Sequence, residues 1–130
     1  MQAITFEFND YVITTDKGLM NLHDVHQWLS EQAYWCKGIS LATFQKAFEH
    51  SFCIGTMLGD SQVGFGRLIT DYATFAYMAD VFVREEHRGK GISKTMMKTL
   101  MDLEWIQQMR AIRIATSDAH GLYKQFGFSA

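Results

Sequence analysis

With 130 residues the chain is long enough for one domain with a real core and too short for two comfortable ones. Hydrophobic residues at 48% and charged ones at 20% give a globular composition, and no apolar run approaches the roughly 18 residues that begin to suggest a membrane span. A net charge of −2 gives no electrostatic reason to expect nucleic acid or an anionic membrane as partner. The opening Met1-Gln2-Ala3-Ile4-Thr5 has no basic segment followed by an apolar block, so no secretory signal is visible and a cytoplasmic location is expected. Cys36 and Cys53 lack CxxC spacing and read as buried reduced thiols rather than a zinc site or a disulfide.

Residues 4 to 14 carry two short apolar runs, Ile4-Thr5-Phe6-Glu7-Phe8 and Tyr11-Val12-Ile13-Thr14, that read as strand around an Asn9-Asp10 turn. A helix follows, with Asn21 as its cap and Leu22, Val25, Trp28 and Leu29 recurring on one face. A second, over Leu41 to His50, is capped by Ser40. Cys53 to Leu58 and Val63 to Thr70 form an antiparallel hairpin across Gly59-Asp60-Ser61-Gln62, and Ala73 to Val83 is the next strand after an Asp71-Tyr72 turn. From Lys90 to Leu103 the positions Ile92, Met96, Met97, Leu100, Met101 and Leu103 keep a helical period, while Lys94, Lys98 and Asp102 face outward. Ala111 to Thr116 is a further strand, and Ala119 to Gln125 a short helix that ends at Gly127. The methionines at 96, 97, 101 and 109 read as adaptable core filler. His23, Asp24 and His26 share one helical turn, but no second ligand pair follows, so the histidines are expected to cap, solvate or pack rather than bind metal. This order predicts an α/β fold whose mixed sheet has antiparallel strands first and a parallel pair at the end.

One stretch carries chemistry. Val81-Phe82-Val83 runs through Arg84-Glu85-Glu86-His87 into Arg88-Gly89-Lys90-Gly91 and the start of a helix. Glycines at 89 and 91 allow a tight turn with exposed N–H groups, and the helix that follows leaves its first-turn amides unpaired, so an anion should bind here. The Walker pattern fails, because Arg84 and Gly91 stand where it needs glycine and Ser or Thr. A dinucleotide fingerprint fails too, since Lys94 replaces its third glycine and Trp105 to Arg113 supplies no acidic residue. Arg84, Arg88, Lys90, Lys94 and Lys98 cluster around the turn, which suits a local polyanion.

Arg88-Gly89-Lys90-Gly91-Ile92-Ser93 resembles the signature of the GNAT superfamily of N-acetyltransferases: Gln or Arg, two residues, Gly, one residue, then Gly or Ala, with Ser93 departing at the last place. Ala115-Thr116-Ser117-Asp118-Ala119-His120-Gly121-Leu122-Tyr123-Lys124-Gln125-Phe126-Gly127-Phe128 is similar to the family's second signature. The resemblance is good over roughly residues 50 to 128 and rests only on element order before that. It implies a GNAT-like, mostly antiparallel central sheet flanked by helices, with a parallel strand pair at the coenzyme A site. The family's final strand is expected to be missing or truncated here, being absent, supplied by a partner or carried by residues past Ala130, and an edge left unpaired there would favour a homodimer by strand addition.

The resemblance also implies acetyl-CoA as co-substrate, no metal, and a primary amine of a small molecule or peptide as acceptor. Amides of Arg88, Gly89, Lys90, Gly91, Ile92 and Ser93 would meet the pyrophosphate, and Val81, Phe82 and Val83 would pair with the pantetheine arm, a strand N–H near Val81 facing the thioester oxygen. Tyr123 matches the family's tyrosine that protonates the departing thiolate, and Asp80 is the carboxylate expected as base, ahead of Asp118, Glu85 and Glu86. Tyr34, Trp35, Phe65, Arg67, Asp71, Tyr72 and Tyr77 are candidates to line the acceptor site, with core packing the commoner fate of the aromatics. A catalytically weak domain that binds coenzyme A as a sensor or interaction module is the competing expectation. A Cys36 or Cys53 nucleophile working with His50 lacks any oxyanion turn around it.

Overall fold

The structure, a computed structural model, describes residues 2–33 and 36–114. Asn9, at φ 55°, turns Thr5–Phe8 (β1) back into Tyr11–Thr14 (β2), so the first strand-like segment is a hairpin of two strands. Asn21 then caps Leu22–Gln32 (α1) by accepting from the Asp24 N–H at 3.0 Å, and Ser40 caps Leu41–Glu49 (α2) through the Thr43 N–H. Phe52–Leu58 (β3) and Ser61–Thr70 (β4) form the expected hairpin, tightened to a two-residue turn at Gly59 and Asp60. The next strand, Phe75–Val83 (β5), starts later than its apolar pattern suggested. The Asp71 carboxylate accepts from the N–H groups of Ala73, Thr74 and Phe75 and holds 71–74 as a turn.

Ile92–Met101 (α3) crosses over to Ala111–Ile114 (β6), which lies parallel to β5. The helix expected over Lys90 to Leu103 is thus α3, ending two residues sooner at Met101, and the extended Leu103 (ψ 130°) then starts a further short helix, Glu104–Gln107 (α4), that the apolar period did not indicate. Among the described residues the strands lie in chain order from β1 to β6, antiparallel until the last pair. One face of the sheet packs Ile13, Ile54, Leu68 and Met78 against Ile92, Met96, Met97 and Leu100 of α3, so Met96 and Met97 are core filler as expected. The other packs Cys53, Phe65 and Phe82 against Val25 and Leu29 of α1 and Phe44 and Phe48 of α2. Both faces are covered, and the ends of β5 and α3 are left to form a site. Among the described residues no helix is long and apolar enough to cross a membrane.

Candidate active site

β5 leaves the sheet through a one-turn 3-10 helix, Glu85–His87, and enters α3 across Gly89 at φ 79° and Gly91 at φ 83°. Gly91 is the N-cap of α3 and brings no side-chain cap, so the first-turn amides and the positive end of the helix dipole face outward. A cleft of about 320 Å³ lies there, lined by His87, Gly89, Gly91, Ser93 and Lys94 among others. A Cβ added at Gly89 would have no atom within 4 Å, so it would project into open space in front of the turn. Ile92 points the opposite way, 2% exposed and packed under the sheet beside Gly64. The turn therefore offers backbone donors with no side chain filling it, a fit for a phosphate group.

A second cleft of about 820 Å³ shares Val83, Arg88 and Ser93 with the first and runs along residues 81–84. Its far wall is α1, through Gln27, Trp28, Glu31 and Gln32. Trp28 stacks on Phe82 with ring centroids 4.1 Å apart and planes 6° from parallel, so the buried Phe82 ring supports the Trp28 wall. α1 is fixed by a polar lock. Gln62, fully buried, accepts from the Asn21 N–H through Oε1 (2.8 Å) and donates to the Gly64 carbonyl, while its own N–H reaches Asp24 Oδ2 at 3.0 Å. Arg84 closes the lock, donating from Nε to the Gln62 carbonyl and from Nη2 to that of Asp24.

Asp80 sits where β5 is irregular. Phe82 pairs with Phe65 and Ala79 with Arg67, so Asp80 and Val81 together face the single residue Gly66, and Asp80 takes φ 56°. Its side chain is 5% exposed. Oδ2 accepts from Arg67 Nε at 2.8 Å and Oδ1 from the Cys36 thiol at 3.4 Å, while Arg67 Nη1 donates to Ser51 Oγ at 2.9 Å. Burial first, then the Asp80 charge, pushes the Cys36 thiol up to about 11. Burial alone dominates at Cys53, pushed up to about 12. Neither thiol is primed as a nucleophile at neutral pH.

The structure thus brings Val81, Phe82, Val83, Arg88, Gly89, Gly91, Ile92 and Ser93 to a pair of adjacent clefts, with Lys90 exposed on the intervening turn. The expected basic cluster divides. Arg84 belongs to the α1 lock, Arg88 folds back onto the Val83 carbonyl and Lys98 pairs with Asp102, which leaves Lys90 and Lys94 without a partner among the described residues. Of the acceptor candidates, Phe65 is packed among Phe44, Phe48 and Phe82, and Arg67 is tied to Asp80. Asp71 and Tyr72 stand at the opposite end of β5, Tyr72 against Trp105, and Tyr77 lies on the same half of that strand. Tyr34, Trp35, Asp118 and Tyr123 lie outside the described residues. His26 Nε2 bonds the Ile39 carbonyl, Asp24 accepts from the Gln62 N–H and His23 is exposed, in line with histidines that pack or are solvated. Trp28 as a cleft wall and the Arg67–Asp80 pair were not foreseen; the first read only as an apolar helix position, and the second spans thirteen residues with no local pattern.

A mixed sheet covered by helices on both faces leaves a cleft along the end of β5 beside the uncapped start of α3. Residues 22–128 match the Acetyltransferase (GNAT) family, and the chain belongs to that family, whose members use acetyl-CoA as co-substrate. It is similar to a GNAT-family protein of Xanthomonas campestris pv. campestris, with 44% identity, 95% of this chain and 87% of that one covered, and a TM-score of 0.88. A Gibberella zeae protein, FG08082, provisionally named an acetyltransferase, is 28% identical over 88% of this chain and 76% of its own length. The streptothricin acetyltransferase of Escherichia coli is 26% identical over 82% of this chain and 66% of its own length.

Proposed function

We propose that the protein is a cytoplasmic N-acetyltransferase that moves an acetyl group from acetyl-CoA to a primary amine by direct attack in a ternary complex. The observation that carries this is the adjacency of the two clefts, one at the uncapped start of α3 and one along residues 81–84, which share Val83, Arg88 and Ser93. Amides of residues 88–93 hold the pyrophosphate, and the backbone of Val81, Phe82 and Val83 pairs with the pantetheine amides as a neighbouring strand would. Glu31, Glu85 and Glu86 line the larger cleft with no partner among the described residues, which favours a cationic amine over an anionic acceptor.

The amine must shed a proton before its nitrogen attacks the thioester carbon, because ordinary lysine-type amines have a pKa of about 10.4. That proton leaves to water in the open cleft. As the C–S bond breaks, Tyr123 gives a proton to the thiolate. The test is free-thiol release from acetyl-CoA across polyamines, amino acids, aminoglycosides, N-terminal peptides and streptothricin, the last because a relative is named for it. Acetyl-CoA should also raise the melting temperature with concentration. Binding without thiol release from any amine would favour the sensor module instead. Tyr123→Phe should lower kcat by about tenfold to a hundredfold with donor binding retained; an unchanged kcat removes it as the acid.

A further inference from the structure

Strand alternation along β5 breaks at Asp80. Ala76 and Met78 pack under α3, so regular alternation would send Asp80 and Phe82 to the same face and Val81 and Val83 to the other. The structure has the reverse: Val81 and Val83 pack with the α3 cluster and Phe82 with the α1–α2 cluster. The bulge opposite Gly66 performs this inversion. A Cβ on Gly66 would come within 2.4 Å of the Met78 methyl, so glycine suits the residue facing it.

Without the bulge, Asp80 would lie beneath α3 among Met96 and Met97 with no cation to meet it. With it, Asp80 joins the face that carries Phe65 and Arg67, and its left-handed backbone, unfavourable for a residue with a Cβ, is met by the 2.8 Å ion pair to Arg67. Arg67 is itself braced by Ser51, whose hydroxyl donates to the Ala47 carbonyl of α2 at 2.7 Å. A chain of bonds thus runs from α2 through Ser51 and Arg67 to the one residue whose conformation sets the facing of Val81, Phe82 and Val83.

We propose that the Arg67–Asp80 ion pair is a positioning device: it holds the β5 bulge and so aims residues 81–83 at the donor, and Asp80 is not the base of the transfer. This rests on the donor reading above. Both Asp80 oxygens accept bonds from inside the protein, one from the Arg67 guanidinium and one from the Cys36 thiol, so the carboxylate is engaged by its own chain rather than turned toward an amine in the cleft.

Three substitutions separate the roles. Asp80→Asn keeps an oxygen for Arg67 and tolerates the left-handed conformation; Asp80→Gly keeps only the conformation; Asp80→Ala keeps neither. Acetyl-CoA affinity by calorimetry, and kcat and KM against pH with any amine found in the screen, should fall in the order Asn, Gly, Ala. Ala should lose about tenfold in donor affinity, and Asn should recover most of it, with the shape of the pH profile kept throughout. Arg67→Met should behave like Asp80→Ala. Equal loss of kcat in all three Asp80 variants, with donor affinity unchanged and the pH limb altered, overturns the proposal in favour of a base. Lower melting temperatures with unchanged donor affinity overturn it in favour of a purely structural pair. Wild-type protein that fails to bind acetyl-CoA overturns the donor reading itself, a result seen before any variant is made.

Discussion

Gly89 shows how little side-chain chemistry the phosphate turn contains. Its φ of 79° costs an ordinary L residue about 1–2 kcal/mol. Its missing Cβ leaves open the space in front of the uncapped α3 amides. Gly89→Ala adds mainly the backbone cost, whereas Gly89→Glu also brings a carboxylate to the helix end that should receive the pyrophosphate. Acetyl-CoA should therefore still raise the melting temperature of the alanine variant, at higher concentrations than for wild type, and should do nothing for the glutamate variant. A glutamate variant that binds as tightly as wild type would show that the pyrophosphate lies elsewhere. Ser93, the one departure from the family signature, lines both clefts, so the larger side chain sits at their junction rather than against the core.

Among the elements, α1 matters most to the cleft, and it is held by the amide of Gln62 rather than by its own apolar face alone. A Cβ at Gly55 would stand 2.4 Å from Gln62 Nε2, so Gly55→Ala must displace a buried amide that bonds both Asn21 and Gly64. The expected loss is about 1–3 kcal/mol in urea unfolding, the cost of leaving a buried polar group unsatisfied. An unperturbed midpoint would mean that Gln62 does not secure the helix. This lock also explains what could and could not be read from the chain. α1, α2, the 52–70 hairpin and the anion turn announce themselves through apolar period, caps and glycines, signals that lie within a few residues of one another. The bulge at Asp80 does not, because a left-handed aspartate inside an alternating run is imposed by Arg67 from the neighbouring strand. Arg84 misled for the same reason: it looks like part of a basic patch in sequence, yet its guanidinium is spent on two backbone carbonyls brought from β4 and α1. The short α4 was not legible because its four residues are too few to show an apolar period, and it begins only after the extended Leu103, where the α3 pattern had already ended.

At the scale of the molecule, the β1–β2 hairpin is separated from β5 by two strands of the sheet, β3 and β4, and yet it touches the site. Phe8 Cζ lies 3.5 Å from where a Cβ of Gly91 would stand, and the Tyr11 hydroxyl hydrogen-bonds His87 Nδ1 at 2.8 Å with the two rings edge to face. Both contacts arise because the chain, on leaving β5 at Val83, runs through the 3-10 turn Glu85–His87 toward α3 and brings His87 against Tyr11 and Gly91 near Phe8. The hairpin is thus a support for the anion turn, supplied by a part of the chain that carries no motif. Tyr11→Phe tests this with least disturbance, since the ring is 5% exposed and keeps its packing while only the hydroxyl is removed. Losing one such bond costs about 1 kcal/mol, equivalent to roughly fivefold in an equilibrium constant. If the bond steadies the turn, the substitution should raise the acetyl-CoA dissociation constant by up to that factor and leave kcat at saturating donor unchanged, because nothing at the reacting atoms is touched. If it steadies only the hairpin, the urea midpoint will fall by the same free energy while donor affinity stays at the wild-type value, and the hairpin will have no part in holding the donor.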